Sequence, residues 1–289
     1  MSLDAVAKTS LLTAAIRAVE TNRGENERRL FTDPFAAALA GREGFSILEQ
    51  VLAEIGEQVS VPLRKRYFDE RINQASADGI RQIVIAAAGM DSRAYRLSFP
   101  DGTRIFELDK SEVLSLKQER LGEAMPQCER HAVAVDLQGE WQNILLKAGM
   151  DPSEPALWLV EGLLLYLEEA DALTLFERID LLSAPNRILL FDILGRSLLD
   201  APQMAKQRHF SEKLGAPWRF GTDEPERLME QFGWNTLATE PGEIDAVRWR
   251  FPPAPRNIPN VPRIFFVEAR YPSAARKGKE AIGKRQSDE

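Results

Sequence analysis

The sequence predicts an α/β protein with a doubly wound, mostly parallel sheet of seven strands, preceded by a helical region. Short apolar runs, each too short for a helix, alternate with segments whose apolar residues recur at helical spacing. Parallel strands need a long crossover between them, and the intervening helical segments supply it. The 289 residues are 44% hydrophobic and 28% charged, as in ordinary globular proteins, which excludes disorder throughout the chain.

The first 78 residues are predicted to be helical and to form a lid or substrate region. Leu12, Ile16 and Val19 recur at helical spacing behind Asp4, a residue type that caps helices. Gly24 and the polar residues after it end this first helix. Further helices are predicted at 34–40, 45–55 and 64–75.

Residues 79–272 are predicted to form the sheet domain. Its strands are expected at 82–87, 104–108, 131–135, 156–160, 187–191, 234–238 and 265–270. Helices are expected at 111–123, 139–148, 170–183, 201–214 and 225–232, with a helical insertion at about 195–222. Five prolines between 252 and 262 predict a stiff loop, and the basic, apolar-poor tail 273–289 is predicted to be disordered.

Composition limits the partners. A net charge of −7, from 37 basic and 44 acidic residues, argues against nucleic-acid binding and favours a small-molecule partner. Cys128 is the only cysteine, so no intramolecular disulfide can form and a cytoplasmic location is expected. One cysteine and two histidines exclude a structural zinc site and argue against a multi-histidine catalytic metal site. An all-oxygen magnesium site stays open, but no motif indicates one and no metal ligand is predicted. No signal peptide and no membrane span is predicted, and the sequence leaves the oligomeric state open.

The turn after the first predicted strand is the first candidate binding element. In doubly wound sheets, ligands bind outside the carboxyl ends of the strands, usually over this turn. The turn holds Ala87 and Gly89, whose small size lets a ligand approach the backbone. Asp109 ends the second strand 20 positions after Gly89, a spacing that suits hydrogen bonds to ribose hydroxyls. Asp109 is favoured over Glu107 because it lies at the strand tip. A plain tight turn and a solvated acidic strand end are the alternatives.

The third and fourth strands also end in carboxylates. Asp136 could accept a hydrogen bond from an adenine amino group while Leu137 covers the ring, or Asp136 could simply cap the next helix. Glu161 follows the apolar fourth strand and must be paired or face a ligand, because a lone buried carboxylate is costly. Together the strand ends predict a nucleoside pocket.

The scarcity of glycine in the first turn favours one nucleoside over others. A dinucleotide fold usually requires G-x-G-x-x-G to admit a pyrophosphate, whereas this turn offers only Gly89. S-adenosylmethionine has no phosphate and carries a sulfonium cation, which surrounding carboxylates favour. The pattern favours methyl transfer over the two alternatives, an NAD-dependent oxidoreductase and a nucleoside-sensing regulator without turnover.

Over nearly its whole length, the chain resembles the leucine carboxyl methyltransferase family, including its bacterial S-adenosylmethionine-dependent methyltransferases and polyketide O-methyltransferases. The combination of Gly-Met-Asp-Ser-Arg from Gly89 with Glu-Gly-Leu-Leu-Leu-Tyr-Leu from Glu161 is specific. Other matching segments are 15–20, 30–36, 64–69, 107–110, 135–137, 220–222 and 261–263. The resemblance implies a Rossmann-like methyltransferase fold.

The resemblance also implies roles for individual residues. The turn of Ala87 and Gly89, together with Asp109, Asp136, Leu137 and Glu161, would contact S-adenosylmethionine. An arginine before the first strand would hold the carboxylate of that cofactor; Arg64 matches best and Arg66 second. Lys8 or Arg17 of the first helix could assist. The sequence departs from the family at Ala87, where glycine is common.

The expected reaction is an in-line attack of a substrate oxygen on the sulfonium methyl group. A carboxylate acceptor is favoured because it is already ionised near pH 7 and needs no base, whereas a hydroxyl acceptor would need one. Glu161 and Tyr166 are then the catalytic candidates. The acceptor is expected to be a small molecule of polyketide type, with Trp218 and Phe220 either lining its pocket or packing the lid.

Overall fold

The computed structural model describes residues 3–24, 28–245, 248 and 255–271. The strands are β1 Gln82–Ala86, β2 Arg104–Asp109, β3 Glu129–Ala134, β4 Ala156–Val160, β5 Ile188–Leu194, β6 Asn235–Thr239 and β7 Ile264–Arg270. The helices before and among the first four strands are α1 Ala5–Thr21, α2 Ala36–Glu54, α3 Ser60–Ala77, α4 Arg93–Arg96, α5 Ser111–Leu121 and α6 Gln142–Lys147. The later helices are α7 Glu169–Leu181, α8 Arg196–Asp200, α9 Ala205–Lys213, α10 Pro225–Glu230 and α11 Pro241–Ile244.

The seven strands form one sheet in the order β3-β2-β1-β4-β5-β7-β6. Strands β1 to β5 are parallel, and β7 runs antiparallel to both β5 and β6. This confirms the predicted doubly wound, mostly parallel seven-stranded sheet. The chain leaves β1 toward β2 and β3 and later returns to β4 on the other side of β1. The switch point therefore lies at the carboxyl ends of β1 and β4, where a ligand is expected.

Alternate side chains of each central strand enter different cores. Val84, Phe106 and Trp158 pack into one buried cluster, whereas Ile83, Ile105 and Leu157 pack into another on the opposite face of the sheet. This separation follows from the two-residue period of a strand. Burial on both faces explains why these strands read as continuous apolar runs in the sequence.

The N-terminal helices share the second of these cores. Leu11 of α1 and both Leu63 and Phe68 of α3 are fully buried in the cluster that contains Ile83 and Ile85 of β1. Helix α1 begins after Asp4, whose carboxylate accepts a hydrogen bond from the Ala7 backbone N–H at 2.7 Å, as the cap prediction required. The division into a lid at 1–78 and a sheet domain at 79–272 stays a prediction.

Some boundaries differ from the prediction. The segments expected at 34–40 and 45–55 form one element, α2, kinked at Gly41, where φ is +54°. Helix α6 begins at Gln142 rather than at 139, so Asp136 is not its cap, and that alternative is wrong. The short helices α4 and α11 were not predicted, whereas α8 falls within the predicted helical insertion. The prolines at 255, 259 and 262 lie outside helices and strands, as expected, whereas residues 252, 253 and the tail 273–289 lie outside the described residues.

Within residues 3–24, 28–245 and 255–271, none of the helices is long and apolar enough to cross a membrane. In the same ranges, no group of three or more His, Cys, Asp or Glu side chains is arranged to hold a metal ion.

Replacing Gly44 by alanine tests the close contact between α1 and α2. A Cβ atom at Gly44 would lie 2.5 Å from the Leu11 carbonyl oxygen, so α1 or α2 must shift. Alanine favours a helix by up to ~1 kcal/mol over glycine, but overpacking costs ~1–3 kcal/mol. We expect Gly44→Ala to lower the free energy of unfolding in urea by about 1–2 kcal/mol. Gly24→Ala, where a Cβ meets nothing within 4 Å, is the control. An increase for Gly44→Ala would contradict the packing argument.

Candidate functional site

A cavity of about 240 Å³ lies at the switch point. The residues predicted from the sequence that line it are Arg64, Ala87, Gly89, Asp109, Asp136, Leu137, Glu161 and Tyr166. They come from helix α3, from the carboxyl ends of β1 to β4 with the turns that follow, and from the short 3-10 helix Leu164–Tyr166. The convergence follows from the topology, because the carboxyl ends of neighbouring parallel strands meet at one edge of a sheet.

The turn after β1 is tight and lies against α1. Ala87 and Gly89 both have left-handed backbone conformations, with φ of +54° and +49°. A Cβ atom at Gly89 would lie 2.7 Å from the Ser10 Cβ of α1, so only glycine lets the helix come this close. Helix α1 therefore forms one wall of the cavity, to which it contributes Thr9, Ser10 and Thr13.

Asp109 connects β2 to this turn. Its carboxylate accepts hydrogen bonds from the backbone N–H groups of Gly89 and Lys110, both at 2.7 Å. Burial raises the pKa of Asp109, partly offset by these two hydrogen bonds. A carboxylate has about four acceptor positions, so two are left for ribose hydroxyls. Glu107 is instead fully buried beside Lys117 and Arg130, which explains why only Asp109 reaches the cavity.

Asp136 and Leu137 form the outer rim. The Asp136 carboxylate accepts a hydrogen bond from the backbone N–H of Gln138 at 3.0 Å, which closes a turn ahead of α6. Asp136 is exposed, and Leu137 is partly buried against the core. An exposed acceptor beside an apolar side chain is compatible with the adenine role that the sequence suggested for this pair.

Glu161 lies at the centre of a buried charge cluster. Its carboxylate contacts Lys65 at 3.0 Å, Arg93 at 2.8 Å and Arg64 at 3.1 Å. Burial would raise the pKa of Glu161, but these three cations outweigh it and hold that pKa well below the usual range. The sequence predicted that Glu161 either is paired or faces a ligand, and these contacts supply the charge partners. A carboxylate stabilised in this way is a poor proton acceptor, which argues against Glu161 as a general base.

The same cluster fixes the first turn. Asp91 contacts Lys65 at 2.8 Å and accepts a hydrogen bond from the backbone N–H of Arg93 at 2.7 Å. Arg93 is fully buried and also contacts Asp69 of α3 at 2.7 Å. The predicted pairing of Asp91 with Arg93 is present. It forms part of a network that ties α3 to the ends of β1 and β4.

The structure also distinguishes the candidate cations. Arg64 lines the cavity and bridges Glu161 and Asp192, the latter at 2.7 Å. Arg66 points elsewhere and pairs with Glu70 on the exposed face of α3. Arg17 reaches the cavity but is bonded to Asp33 and to the Met90 carbonyl oxygen, whereas Lys8 pairs with Glu43 and does not line it.

Tyr166 lies between this cavity and a second one. It belongs to a short 3-10 helix, Leu164–Tyr166, that follows Glu161. Burial raises the pKa of the Tyr166 hydroxyl, while a hydrogen bond with Thr9 and the charge of Arg64 act in the other direction. Tyr166 is therefore protonated at neutral pH and can donate a hydrogen bond, but it is not a base in its resting state.

The sequence analysis missed three contributors to this region: Lys65, Asp192 and the hydroxyl-bearing face of α1. Lys65 lies between Arg64 and Arg66, the two residues of this segment that the sequence singles out. Asp192 interrupts the apolar run of β5, the same signal that identified Glu161, and could have been found by it. Nothing in the periodicity of α1 distinguishes a face that lines a cavity from one that faces water.

The sheet order, the antiparallel β7 and the acidic strand ends around a glycine-poor turn define the Rossmann-like fold of S-adenosylmethionine-dependent methyltransferases. A crystal structure of a "putative methyltransferase" from Thermobifida fusca shares this fold, with a TM-score of 0.59. The two are 19% identical, and the match covers 83% of this chain and 93% of that one.

Sequence comparison identifies the family. The profile described as "Leucine carboxyl methyltransferase" matches residues 10–180, so the chain belongs to the leucine carboxyl methyltransferase family. A "Putative S-adenosyl-L-methionine-dependent methyltransferase" from Parafrankia sp. is 41% identical over 66% of this chain, and the match spans only 64% of that relative's length. A protein of the same description from Mycobacterium avium is 34% identical over 92% of this chain and 95% of its own length. The predicted enzyme class and cofactor are those of this family.

Neutralising Glu161 tests the charge cluster. Glu161→Gln leaves Lys65, Arg93 and Arg64 without their shared carboxylate, and breaking one partner of a buried ion pair costs ~3–5 kcal/mol. We expect a loss of that size in the free energy of unfolding in urea at pH 7. Because the pKa of Glu161 is lowered, its stabilisation is present above ~4.3, the ordinary glutamate pKa, and fades as the pH falls further.

The control for Glu161→Gln is Glu168→Gln, at an exposed residue that pairs with Arg219. Exposed ion pairs contribute ~0–1 kcal/mol to stability, so the free energy of unfolding of this variant should stay close to that of the wild type. Equal effects of the two substitutions would contradict the role of the cluster.

Ala87→Gly tests the strain in the turn. A left-handed conformation costs a residue with a Cβ ~1–2 kcal/mol, and glycine avoids most of this cost. We expect Ala87→Gly to raise the free energy of unfolding by about 1 kcal/mol. Ala88→Gly, one residue along the same turn but without a positive φ, should lower it. A loss of stability in Ala87→Gly would show that the methyl packing outweighs the backbone strain.

Proposed function

We propose that the protein is an S-adenosylmethionine-dependent O-methyltransferase that acts on a carboxylate or hydroxyl oxygen of a small apolar molecule, such as a polyketide-type metabolite. The observation that carries the proposal is a pair of adjoining cavities. The cavity at the switch point is rimmed by acidic strand ends, and a second one, of about 610 Å³, adjoins it. They share Thr9, Thr13, Arg64, Gly162 and Tyr166.

The first cavity offers the polar and charged side chains that binding of S-adenosylmethionine would need. All of the proposed contact residues line it: Asp109 would bind the ribose, Asp136 and Leu137 the adenine, and Arg64, with Arg17 and Lys65 nearby, the carboxylate of the amino-acid part. When bound, this cofactor supplies an electrophilic methyl group on a sulfonium. The acidic rim complements that cation.

The region after β1 argues against the dinucleotide alternative. The turn leads into α4, which has only four residues, and into the buried pairs of Asp91 and Arg93. A pyrophosphate site needs the free N–H groups of a long helix at this place. The structure therefore supports a nucleoside without a diphosphate.

The second cavity has the character of an acceptor site. Its wall is largely apolar and includes Leu198, Phe210 and Trp218 from the predicted helical insertion. Trp218 thus lines the cavity, whereas Phe220 is buried in the sheet core. An apolar wall binds apolar acceptors and excludes water from the reacting atoms.

The protein's own contribution to the reaction is alignment. Arg64 is held by Glu161 and Asp192, and Tyr166 contacts Thr9 of α1, so groups from α1, α3 and the ends of β4 and β5 meet at the boundary of the two cavities. Holding two reactants in the productive geometry can contribute ~7–11 kcal/mol to the barrier reduction. Glu161 acts in this scheme by positioning Arg64 and Lys65.

Binding measurements test the proposal. We expect S-adenosylmethionine and S-adenosylhomocysteine, but not NAD, to bind in isothermal titration calorimetry. Asp109→Asn should weaken both by about 10–100-fold, because a hydrogen bond to a charged group contributes ~1.5–3 kcal/mol. Asp101→Asn, at an exposed residue in the turn before β2, is the control and should leave both affinities unchanged. Binding of NAD alone would overturn the proposal.

Turnover separates the enzyme from a nucleoside-sensing regulator. An acceptor screen over apolar phenols and carboxylic acids should yield S-adenosylhomocysteine with at least one class. If the protein binds S-adenosylmethionine tightly but forms no S-adenosylhomocysteine with any acceptor, the result would favour the sensor.

A further inference from the structure

Asp192 lies where the acceptor must meet the cofactor site. It comes from β5, its side chain is 5% exposed, and it lines the second cavity. One oxygen accepts a hydrogen bond from the Gly162 backbone N–H at 2.6 Å, and the other accepts one from Arg64 at 2.7 Å. Gly162 and Arg64 both belong to the boundary that the two cavities share. Asp192 is therefore hydrogen-bonded directly to two residues of that boundary.

The cation that contacts Asp192 is shared with a second carboxylate. Arg64, from α3, faces it directly, and Glu161, at the end of β4, lies on the other side of Arg64. The Tyr166 hydroxyl is close enough to Asp192 to be affected by its charge. Among the described residues that line the second cavity, Arg64 is the only Lys, Arg or His. It already forms ion pairs with Glu161 and Asp192. Glu57, on the same wall, pairs with Arg23.

We propose, on the basis of the function proposed above, that the acceptor presents a neutral hydroxyl group and that Asp192 takes its proton. The acceptor oxygen forms a bond to the methyl carbon as the carbon–sulfur bond breaks and its electron pair stays on sulfur. The hydroxyl proton moves to a carboxylate oxygen of Asp192, which later releases it to water.

The surroundings disfavour a carboxylate acceptor. An ionised acceptor carboxylate at this boundary would be buried beside Asp192, whose contacting cation, Arg64, already pairs with Glu161 and in the proposed complex also faces the carboxylate of the cofactor. Like charges that are close together and shielded from water repel strongly. A hydroxyl group brings no charge and offers Asp192 a proton donor.

Asp192 is better suited than the other acids to accept a proton. Burial raises the pKa of Asp192 despite Arg64 and the Gly162 N–H, whereas three cations lower the pKa of Glu161. A base is most effective when its pKa lies closer to the working pH. Tyr166, which is protonated, can donate a hydrogen bond to the acceptor oxygen.

A matched pair of ligands tests the acceptor class in the wild type. We would titrate 4-hexylphenol and 4-hexylbenzoate into the protein saturated with S-adenosylhomocysteine at pH 7. The phenol should bind at least ~10-fold more tightly, because one hydrogen bond to a charged group is sufficient for such a difference. Benzoate binding that is equal or tighter, or a lack of binding by both, overturns the inference. Binding of S-adenosylhomocysteine reports separately on the proposed function.

Asp192→Asn should change the two affinities in opposite directions. It should weaken binding of 4-hexylphenol, which loses a charged acceptor, and strengthen binding of 4-hexylbenzoate by ~10-fold, because one repelling charge is removed and Arg64 keeps only one of its two carboxylate partners. A purely structural role would shift both affinities in the same direction, and that result would overturn the inference. Asp200→Asn, at an exposed residue of α8 that pairs with Arg196, is the control and should change neither.

The pH profile tests the proton transfer itself. With 4-hexylphenol, formation of S-adenosylhomocysteine by the wild type should increase as the pH rises through the raised pKa of Asp192 and its carboxyl group ionises. In Asp192→Asn the rate should fall by ~10²–10⁴-fold and lose this step. A wild type that forms no product, or whose profile matches that of the variant, overturns the role of Asp192.

Discussion

The structure depends on the need to neutralise a carboxylate at the buried end of β4. Glu161 follows five fully buried residues and cannot be left unpaired, because an isolated charge in this environment is very costly. The neutralising charges come from Arg64 and Lys65 of α3 and from Arg93 at the start of α4. An apolar contact would tolerate a helix that slides by a residue, whereas these hydrogen-bonded pairs tolerate little displacement. The cluster therefore fixes α3 and the first turn relative to the sheet.

This arrangement also determines the electrostatics of the two cavities. The cations near the switch point are largely engaged by protein carboxylates: Lys65 by Asp91 and Glu161, and Arg64 by Glu161 and Asp192. The cofactor cavity keeps an acidic rim that complements a sulfonium. The acceptor cavity keeps Asp192 beside an arginine that is already shared. The same pairs that stabilise the fold thus bias the chemistry that each cavity can accommodate.

Packing of α1 adds a second constraint, this time on shape. The helix approaches the first turn so closely that Gly89 has no room for a Cβ atom, and it approaches α2 equally closely at Gly44. Small and hydroxyl-bearing residues of α1, such as Ser10 and Thr13, can therefore reach the cavity wall. An N-terminal region that reads in the sequence as a separate helical lid shares its core with the sheet.

The sequence by itself determined the elements whose signals are local: seven apolar runs that became strands, a cap at Asp4, and the acidic strand ends Asp109, Asp136 and Glu161. These could be predicted because strand length, capping and the placement of charges beside apolar runs act over a few residues, and because parallel topology brings strand ends to one edge. Tertiary structure alone decided which of Arg64 and Arg66 faces the site, that Lys65 and Asp192 join it, and that Asp136 does not cap α6. Those outcomes depend on helix rotation and on partners up to 128 positions apart in the chain, as in the pair of Arg64 with Asp192. Local patterns carry no information on such distant contacts.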